Sequence, residues 1–317
     1  MNIVYLGSGW FGIESLNALK GSGHDLRLVV TQPPHPAGRG RKPNPTPVAH
    51  WAGAHGVPCI EAENVNAPKV VERIAGCQPD LIVVIAFGQK ISHELITLPP
   101  KGAVNVHSSL LPKYRGAAPI NWAIVNGETT TGISIISLVD KMDAGPVLAQ
   151  AQTDIGPCET AAHLHDRLAV MAGPLLLKTI DQIADGTAVH TEQDHSKATL
   201  APKLKKSDGV LDFSEPAEIL ARKIRGFWPW PGASANYVSS KSEKSVRVTI
   251  GGAEVVESPC PGNLPVGVLD ENLNVICGER ALKITQIKPA GSGLMEFKDF
   301  ANGRQTQPGD SFAKIDS

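Results

Sequence analysis

Asn2-Ile3-Val4-Tyr5-Leu6-Gly7-Ser8-Gly9-Trp10-Phe11-Gly12 decides the fold class: a short apolar run, a glycine-rich turn, then a segment of helical period over Gly12–Leu19. Working outward, the same alternation recurs. Leu26–Thr31, Leu81–Phe87, Ala103–Val106 and Ile133–Leu138 read as strands, and Val48–His55, Pro68–Ala75 and Pro119–Val125 as helices. Val83-Val84-Ile85 is apolar on both faces, as a central strand of a parallel sheet should be. This order predicts an α/β fold with an N-terminal doubly wound, Rossmann-like, mostly parallel sheet. A longer helix is expected at about Glu159–Ala184, between Pro-Cys before it and Asp-Gly after it.

Composition changes near residue 190. A polar, lysine-containing stretch without periodicity predicts a linker over 190–206, separating a first domain over 1–189 from a second over 207–317. In the second, a helix at about Pro216–Ile224 precedes short β-type runs at Ala235–Val238, Ser245–Ile250, Val266–Asp270, Asn274–Cys277 and Leu282–Lys288. Gly, Pro and Asn separate them, the pattern of a small β-barrel of the OB-like kind.

With 317 residues, 42% hydrophobic and 19% charged, the chain has material for two cores, which excludes disordered and fibrous classes. Five cysteines without a CxxC pair predict a reduced, cytoplasmic protein rather than a disulfide framework. No eighteen apolar residues run together, so no membrane span is expected. The net charge of −1 argues against nonspecific nucleic-acid binding. That neutrality is uneven: between Lys197 and Arg247 ten Lys/Arg stand against five Asp/Glu, and Arg39, Arg41 and Lys42 lie together without an acid. One nucleic acid could be held along such a localised face.

Gly7-Ser8-Gly9-Trp10-Phe11-Gly12 satisfies the GxGxxG pattern in the strand-to-helix setting of a dinucleotide site, which taken alone suggests a nicotinamide enzyme. The second strand, however, ends in Thr31-Gln32 where the ribose hydroxyls require an acid. The glycines then need only allow a tight turn.

The stronger constellation is Ala103-Val104-Asn105-Val106-His107. Strand alternation puts Asn105 and His107 on one side, at a strand's C-terminal end, where open α/β sheets place active sites. A Pro/Gly-dense loop follows, from Ser108 to Pro119, and the next strand runs into Asp140-Lys141-Met142-Asp143-Ala144-Gly145. If the two strands are near neighbours, Asp143 reaches the same sheet edge. An amide and an imidazole can stabilise an oxyanion, and a carboxylate can orient the imidazole or move a proton. Ser108 and Ser109 follow His107 directly and offer little as nucleophiles, since adjacent residues point apart. The set suits direct acyl transfer. The plainer alternative is that Asn105 and His107 merely cap a strand.

Asn105-Val106-His107 with Ser109-Leu110-Leu111-Pro112, Arg115-Gly116-Ala117-Ala118-Pro119 and Met142-Asp143-Ala144-Gly145 resembles the signature of the folate-dependent formyltransferases. The resemblance implies 10-formyltetrahydrofolate as cosubstrate, with neither metal nor NAD. It also implies Asn105, His107 and Asp143 as the catalytic trio and Ser109, Leu110, Leu111 and Pro112 in the folate site. The segment Thr31–Lys42 resembles the basic insertion loop of the family's tRNA-directed members. This implies initiator methionyl-tRNA as partner, contacts through Arg39, Arg41 and Lys42, and a monomer. Leu204–Gly209, Ile224–Gly232 and Ile287–Gly291 resemble the C-terminal half of those members, with Lys203, Lys205 and Lys206 as further tRNA contacts. Arg222, Lys223 and Arg225 are weaker candidates, and the Phe227–Pro231 aromatics read as pinning their helix to the barrel. Other formyltransferases and the formyltetrahydrofolate hydrolases share the core signature. Ser108, where the family commonly has Gly, and His35, in place of a basic residue, depart from it.

Overall fold

The opening run forms β1 (Asn2–Gly7), whose Ile3, Val4, Tyr5 and Leu6 are fully buried in the computed structural model. The described residues are 1–37, 42–242, 245–257 and 264–315. After β1 come α1 (Ile13–Lys20), β2 (Asp25–Thr31), β3 (His35–Ala37), β4 (Lys42–Asn44), α2 (Pro47–Ala54), β5 (Cys59–Glu61) and α3 (Pro68–Ala75). The chain continues through β6 (Leu81–Ile85), α4 (His93–Thr97), β7 (Ala103–His107), β8 (Arg115–Gly116), α5 (Pro119–Val125), β9 (Thr130–Ser137), β10 (Val147–Asp154), α6 (Ala161–Asp185) and β11 (Leu200–Ala201).

The main sheet has seven strands in the order β10-β9-β7-β6-β1-β2-β5. From β5 to β7 every pairing is parallel, while β9 runs antiparallel to β7 and β10 antiparallel to β9. The order reverses direction between β1 and β6, the switch point at which such sheets open a crevice beyond their strand ends. Local chemistry sets the helix starts. The Thr46 hydroxyl accepts from the Ala49 amide ahead of α2, the Ser92 hydroxyl from the Leu95 amide ahead of α4, and Pro68 opens α3. Val4, Leu6, Leu28, Val30, Ile82, Val84 and Ala103 cover one face of the sheet and pack with Ile74 of α3 and Leu95 of α4. Each Val, Leu or Ile among them contributes about 1.5–3 kcal/mol on burial.

Contact density divides the chain into two units, one of Met1–Pro119, Thr130–Asp154 and His165–Ala201, the other of Ile120–Thr129, Ile155–Leu164 and Pro202–Ser317. Residues 190–201, expected within a linker, are specifically held in the first unit. Thr191 bridges Val147, and β11 pairs with β8 in a small parallel sheet.

In the second unit α7 (Ala217–Gly226) precedes β12 (Ala233–Val238), β13 (Ser245–Val256), β14 (Val275–Ile276), β15 (Ala281–Pro289), β16 (Met295–Glu296), α8 (Phe297–Arg304) and β17 (Ser311–Ala313). The antiparallel sheet runs β14-β15-β13-β12-β17. Val266–Asp270 is not the strand expected there; Val268 bridges Ser311 of β17 and Leu269 bridges Val275 of β14. Those two bridges link the sheet's outer strands into a nearly closed barrel and remove free edges. Leu220 and Ile224 of α7 and Phe297 and Phe300 of α8 pack into its core. Among the described residues no helix is long and apolar enough to cross a membrane.

Candidate active site

Asn105 and His107 lie on one face of β7 and pair with Ile136 and Ser134 of β9. His107 is buried and Asn105 half-buried. The Asn105 amide makes no hydrogen bond among the described residues, whereas the His107 ring is held. Its Nε2 lies 2.9 Å from the Tyr114 carbonyl oxygen. A carbonyl oxygen can only accept, so Nε2 carries a proton and donates. Nδ1 faces Asp143, 3.7 Å from Oδ2. That is a charge contact rather than a hydrogen bond, so Nδ1 is not consumed by it.

Asp143 arrives by a different route from the one expected. Because β9 is antiparallel to β7, its C-terminal end lies opposite Val104, at the start of β7 and away from His107. The turn after β9 must double back to bring a carboxylate to the imidazole. Gly145 permits this, since a Cβ there would fall on the Ser137 carbonyl, and Asp143 takes a left-handed φ of 50°. The carboxylate then accepts the Gly116 amide at 2.8 Å. Gly116 is itself required by its φ of 127° and by the Ala201 carbonyl, 2.5 Å from where a Cβ would stand.

The Ser109–Pro112 loop is pinned from inside. Ser109 donates its hydroxyl to the Lys113 carbonyl at 2.7 Å and is fully buried, so it is no activated nucleophile. The Ser134 hydroxyl joins the Ser109 carbonyl to the Leu111 amide, and Gln150 donates to the Leu111 carbonyl. Leu110 is half-buried, and Leu111 and Pro112 help line a cavity of about 350 Å³ with Val147–Gln150 and Thr191–Asp194. Asn105, His107 and Asp143 do not line it. Ser108, for all that it replaces a glycine, is not among the residues of positive φ.

The glycine motif has a packing explanation. A Cβ on Gly7 would lie 2.6 Å from the Tyr5 hydroxyl, and one on Gly12 would fall on that hydroxyl. Ser8, inside the motif, is engaged with Thr31 and the Gln32 amide, at the strand end where a ribose carboxylate would stand. Tyr5 Oη is buried without a hydrogen-bond partner among the described residues, and burial pushes its pKa up. Tyr5→Phe removes that orphan donor, so the urea midpoint should rise by the equivalent of ~1 kcal/mol at constant m-value, and a fall would contradict this account.

Burial, with Glu61 adding to it, pushes the Cys59 thiol up to about 11, and burial pushes Cys277 up to about 12, so neither is an activated thiolate. Among the described residues no group of three or more His, Cys, Asp or Glu is placed to hold a metal ion.

Of the basic residues, Arg39 and Arg41 lie outside the described residues. Lys42 opens β4, which pairs with β3 as a hairpin. Lys203, Lys205 and Lys206 are exposed and form no ion pair among the described residues. Lys223 is already committed to Glu215 at 2.5 Å, and Arg225 donates to the Glu159 carbonyl at 3.1 Å. Of the aromatics read as pinning their helix to the barrel, Trp228 approaches Gly251 of β13, while Phe227 is buried edge-on to Trp122 of α5 and Trp230 is half exposed.

The formyl transferase family model matches residues 1–180 and the formyl transferase C-terminal domain model residues 203–305. Over 309 residues the chain is 38% identical to the methionyl-tRNA formyltransferase of Geobacter metallireducens, covering 98% of this chain and 97% of that one. It is 40% identical over 301 residues to the same-named protein of Trichlorobacter lovleyi, covering 95% and 93%. Among solved structures, HypX from Aquifex aeolicus in complex with tetrahydrofolic acid superposes with a TM-score of 0.63 at 17% identity, over 94% of this chain and 46% of that one. The Helicobacter canadensis N-formyltransferase in complex with folinic acid and dTDP-3-aminofucose gives 0.61 at 15%, over 90% and 97%. At such identities these two speak for the fold alone. The chain belongs to the formyl transferase family, in its methionyl-tRNA formyltransferase branch.

Proposed function

We propose that the protein transfers the formyl group of 10-formyltetrahydrofolate to the α-amino group of initiator methionyl-tRNA, for translation initiation in the cytoplasm. The observation that carries this reading is the grouping of an Asn105 amide with no hydrogen bond among the described residues, an unconsumed His107 Nδ1 and the Asp143 carboxylate in a chain of that branch. In this reading residues 1–189 form the body of the catalytic domain, the 190–206 linker packs on it as far as Ala201, 207–317 form the tRNA-binding barrel, and the protein acts as a monomer.

Holding the formyl donor beside the amine makes the bimolecular step effectively unimolecular, worth ~7–11 kcal/mol in well-oriented cases. The amine attacks in its neutral form; a free α-amino group has a pKa of about 7.7–8.0, and esterification lowers it, so little activation is needed. The Asn105 amide, and His107 Nδ1 when the ring carries both protons, donate to the developing formyl oxyanion. Asp143 orients the imidazole and helps move the amine proton to the folate nitrogen as the carbon–nitrogen bond of the donor breaks. Ser109, Leu110, Leu111 and Pro112 shape the folate site, with Ser109 acting through the loop rather than by its hydroxyl.

The test is formyl transfer from 10-formyltetrahydrofolate to initiator and elongator methionyl-tRNA, with water as control acceptor. Formylation of the initiator supports the reading; formate release without it indicates a hydrolase. Arg39, Arg41, Lys42, Lys203, Lys205 and Lys206 serve as tRNA contacts here. Arg39→Ala should therefore raise the KM for tRNA or lower turnover while leaving folate binding unchanged, and the tRNA step should weaken steeply with salt. A tRNA step insensitive to both would remove the role.

A further inference from the structure

Gln193 lies in the stretch between the two matched family domains, 181–202, which no motif brought to notice. Its carboxamide is buried, at 7% exposure, and all four of its hydrogen-bonding positions are used. Nε2 donates to the backbone carbonyls of Asp143, at 2.9 Å, and Gly145, at 2.7 Å. Oε1 accepts from Arg115 Nε, at 3.2 Å, and Nη2, at 2.5 Å. Chemistry fixes the orientation of this amide, because a guanidinium can only donate and carbonyls can only accept.

Arg115 is as deeply buried as His107, and no carboxylate pairs with it among the described residues. Its other contact on Nη2 is His195 Nδ1, at 2.9 Å. The residue after it, Gly116, donates its amide to the Asp143 carboxylate. Asp143 is thus gripped twice from the Arg115 strand: at its side chain through Gly116, and at its backbone through Gln193. The backbone grip begins at the left-handed residue itself, holding the carbonyl of Asp143 and that of Gly145 two residues on.

We propose that Gln193 is a positioning residue for formyl transfer: its carboxamide, set by buried Arg115, holds the 143–145 turn so that the Asp143 carboxylate stays beside His107. The inference rests on the catalytic reading of Asp143 given above. Gln193 borders the cavity of Leu111 and Pro112, but its carboxamide is fully bonded within the protein, so it acts on turnover through Asp143.

The experiment is a double-mutant cycle with Asp143→Asn, read as kcat and KM for initiator methionyl-tRNA formylation, with thermal melts of each enzyme. Gln193→Ala removes the clamp. Gln193→Glu keeps the shape and an acceptor for Arg115 but loses both N–H donors, and keeps the test decisive if the alanine variant does not fold. In the otherwise wild-type enzyme either change should lower kcat by up to about 100-fold, the loss expected of a displacement near 1 Å, with KM for donor and tRNA unchanged. On the Asp143→Asn background the same change should cost nothing further, because residues acting as a unit are not additive. A loss of equal size on both backgrounds, a change in KM alone, or full turnover in Gln193→Glu would overturn the positioning role and leave the catalytic reading standing. Full turnover in the single Asp143→Asn enzyme would strike the catalytic reading itself, and this one with it.

Discussion

Asn105→Ala is expected to fold as the parent does and to lose about 10²–10³ in kcat for methionyl-tRNA formylation, the ~2.7–4 kcal/mol that one oxyanion donor supplies. The fold should tolerate the change, because the amide is only half-buried and makes no hydrogen bond among the described residues, so its loss leaves no partner unsatisfied there. The loss should fall on kcat rather than on the KM for either substrate, since the donor strengthens its bond only as negative charge grows on the formyl oxygen. The measurement is steady-state formylation beside a melt of the same preparation. A kcat within threefold of the parent, with the protein folded, would remove Asn105 from the chemistry.

The second large effect is expected of Asp143→Asn. The amide keeps an oxygen to accept the Gly116 N–H and fits the same left-handed turn, which asparagine tolerates well. What it loses is the negative charge facing His107 Nδ1 and the capacity to take a proton from the amine. Proton transfer of that kind contributes about 10²–10⁴, and kcat should fall by that factor with the melt unchanged. Asp143→Ala should fall further and also melt lower, because the Gly116 amide then loses its acceptor. Single-turnover formylation with saturating tRNA separates the chemical step from product release; an unchanged single-turnover rate in Asp143→Asn would contradict the role.

Much of the first unit was legible because its central strands announce themselves. Leu81–Ile85 is buried at every position, and Pro68–Ala75 carries its own start signal. What was missed is short or half-polar. Cys59–Glu61 is three residues long, and β10 is an outer strand with exposed polar residues at alternate positions, Gln150, Gln152 and Asp154, so neither shows a continuous apolar run. The barrel itself was legible from its short strands separated by Gly, Pro and Asn, whereas the isolated bridges at Val268 and Leu269 that close it leave no periodicity behind.

The site divides along a similar line. Asn105 and His107 were readable from a two-residue spacing on one strand. Asp143 was expected at the same sheet edge if its strand neighboured β7; β9 is that neighbour, but it runs antiparallel and sends the chain to the far end of β7 before it returns. The Tyr114 carbonyl and the Gly116 amide are backbone groups with no residue-type signature, and Gln193 meets Asp143 across fifty positions. Polar composition without periodicity reads as a linker over 190–206, and a buried carboxamide within it is invisible to any local pattern.

Pairing of β11 with β8 bears on how the molecule should be cut. A fragment ending at residue 189 would keep every residue of the catalytic trio yet lose Leu200 and Ala201, the strand against which Arg115 and Gly116 are aligned, together with Gln193. An excised or transplanted catalytic half needs to run through Ala201, and chimaeras joined upstream of it would carry the chemistry without its frame.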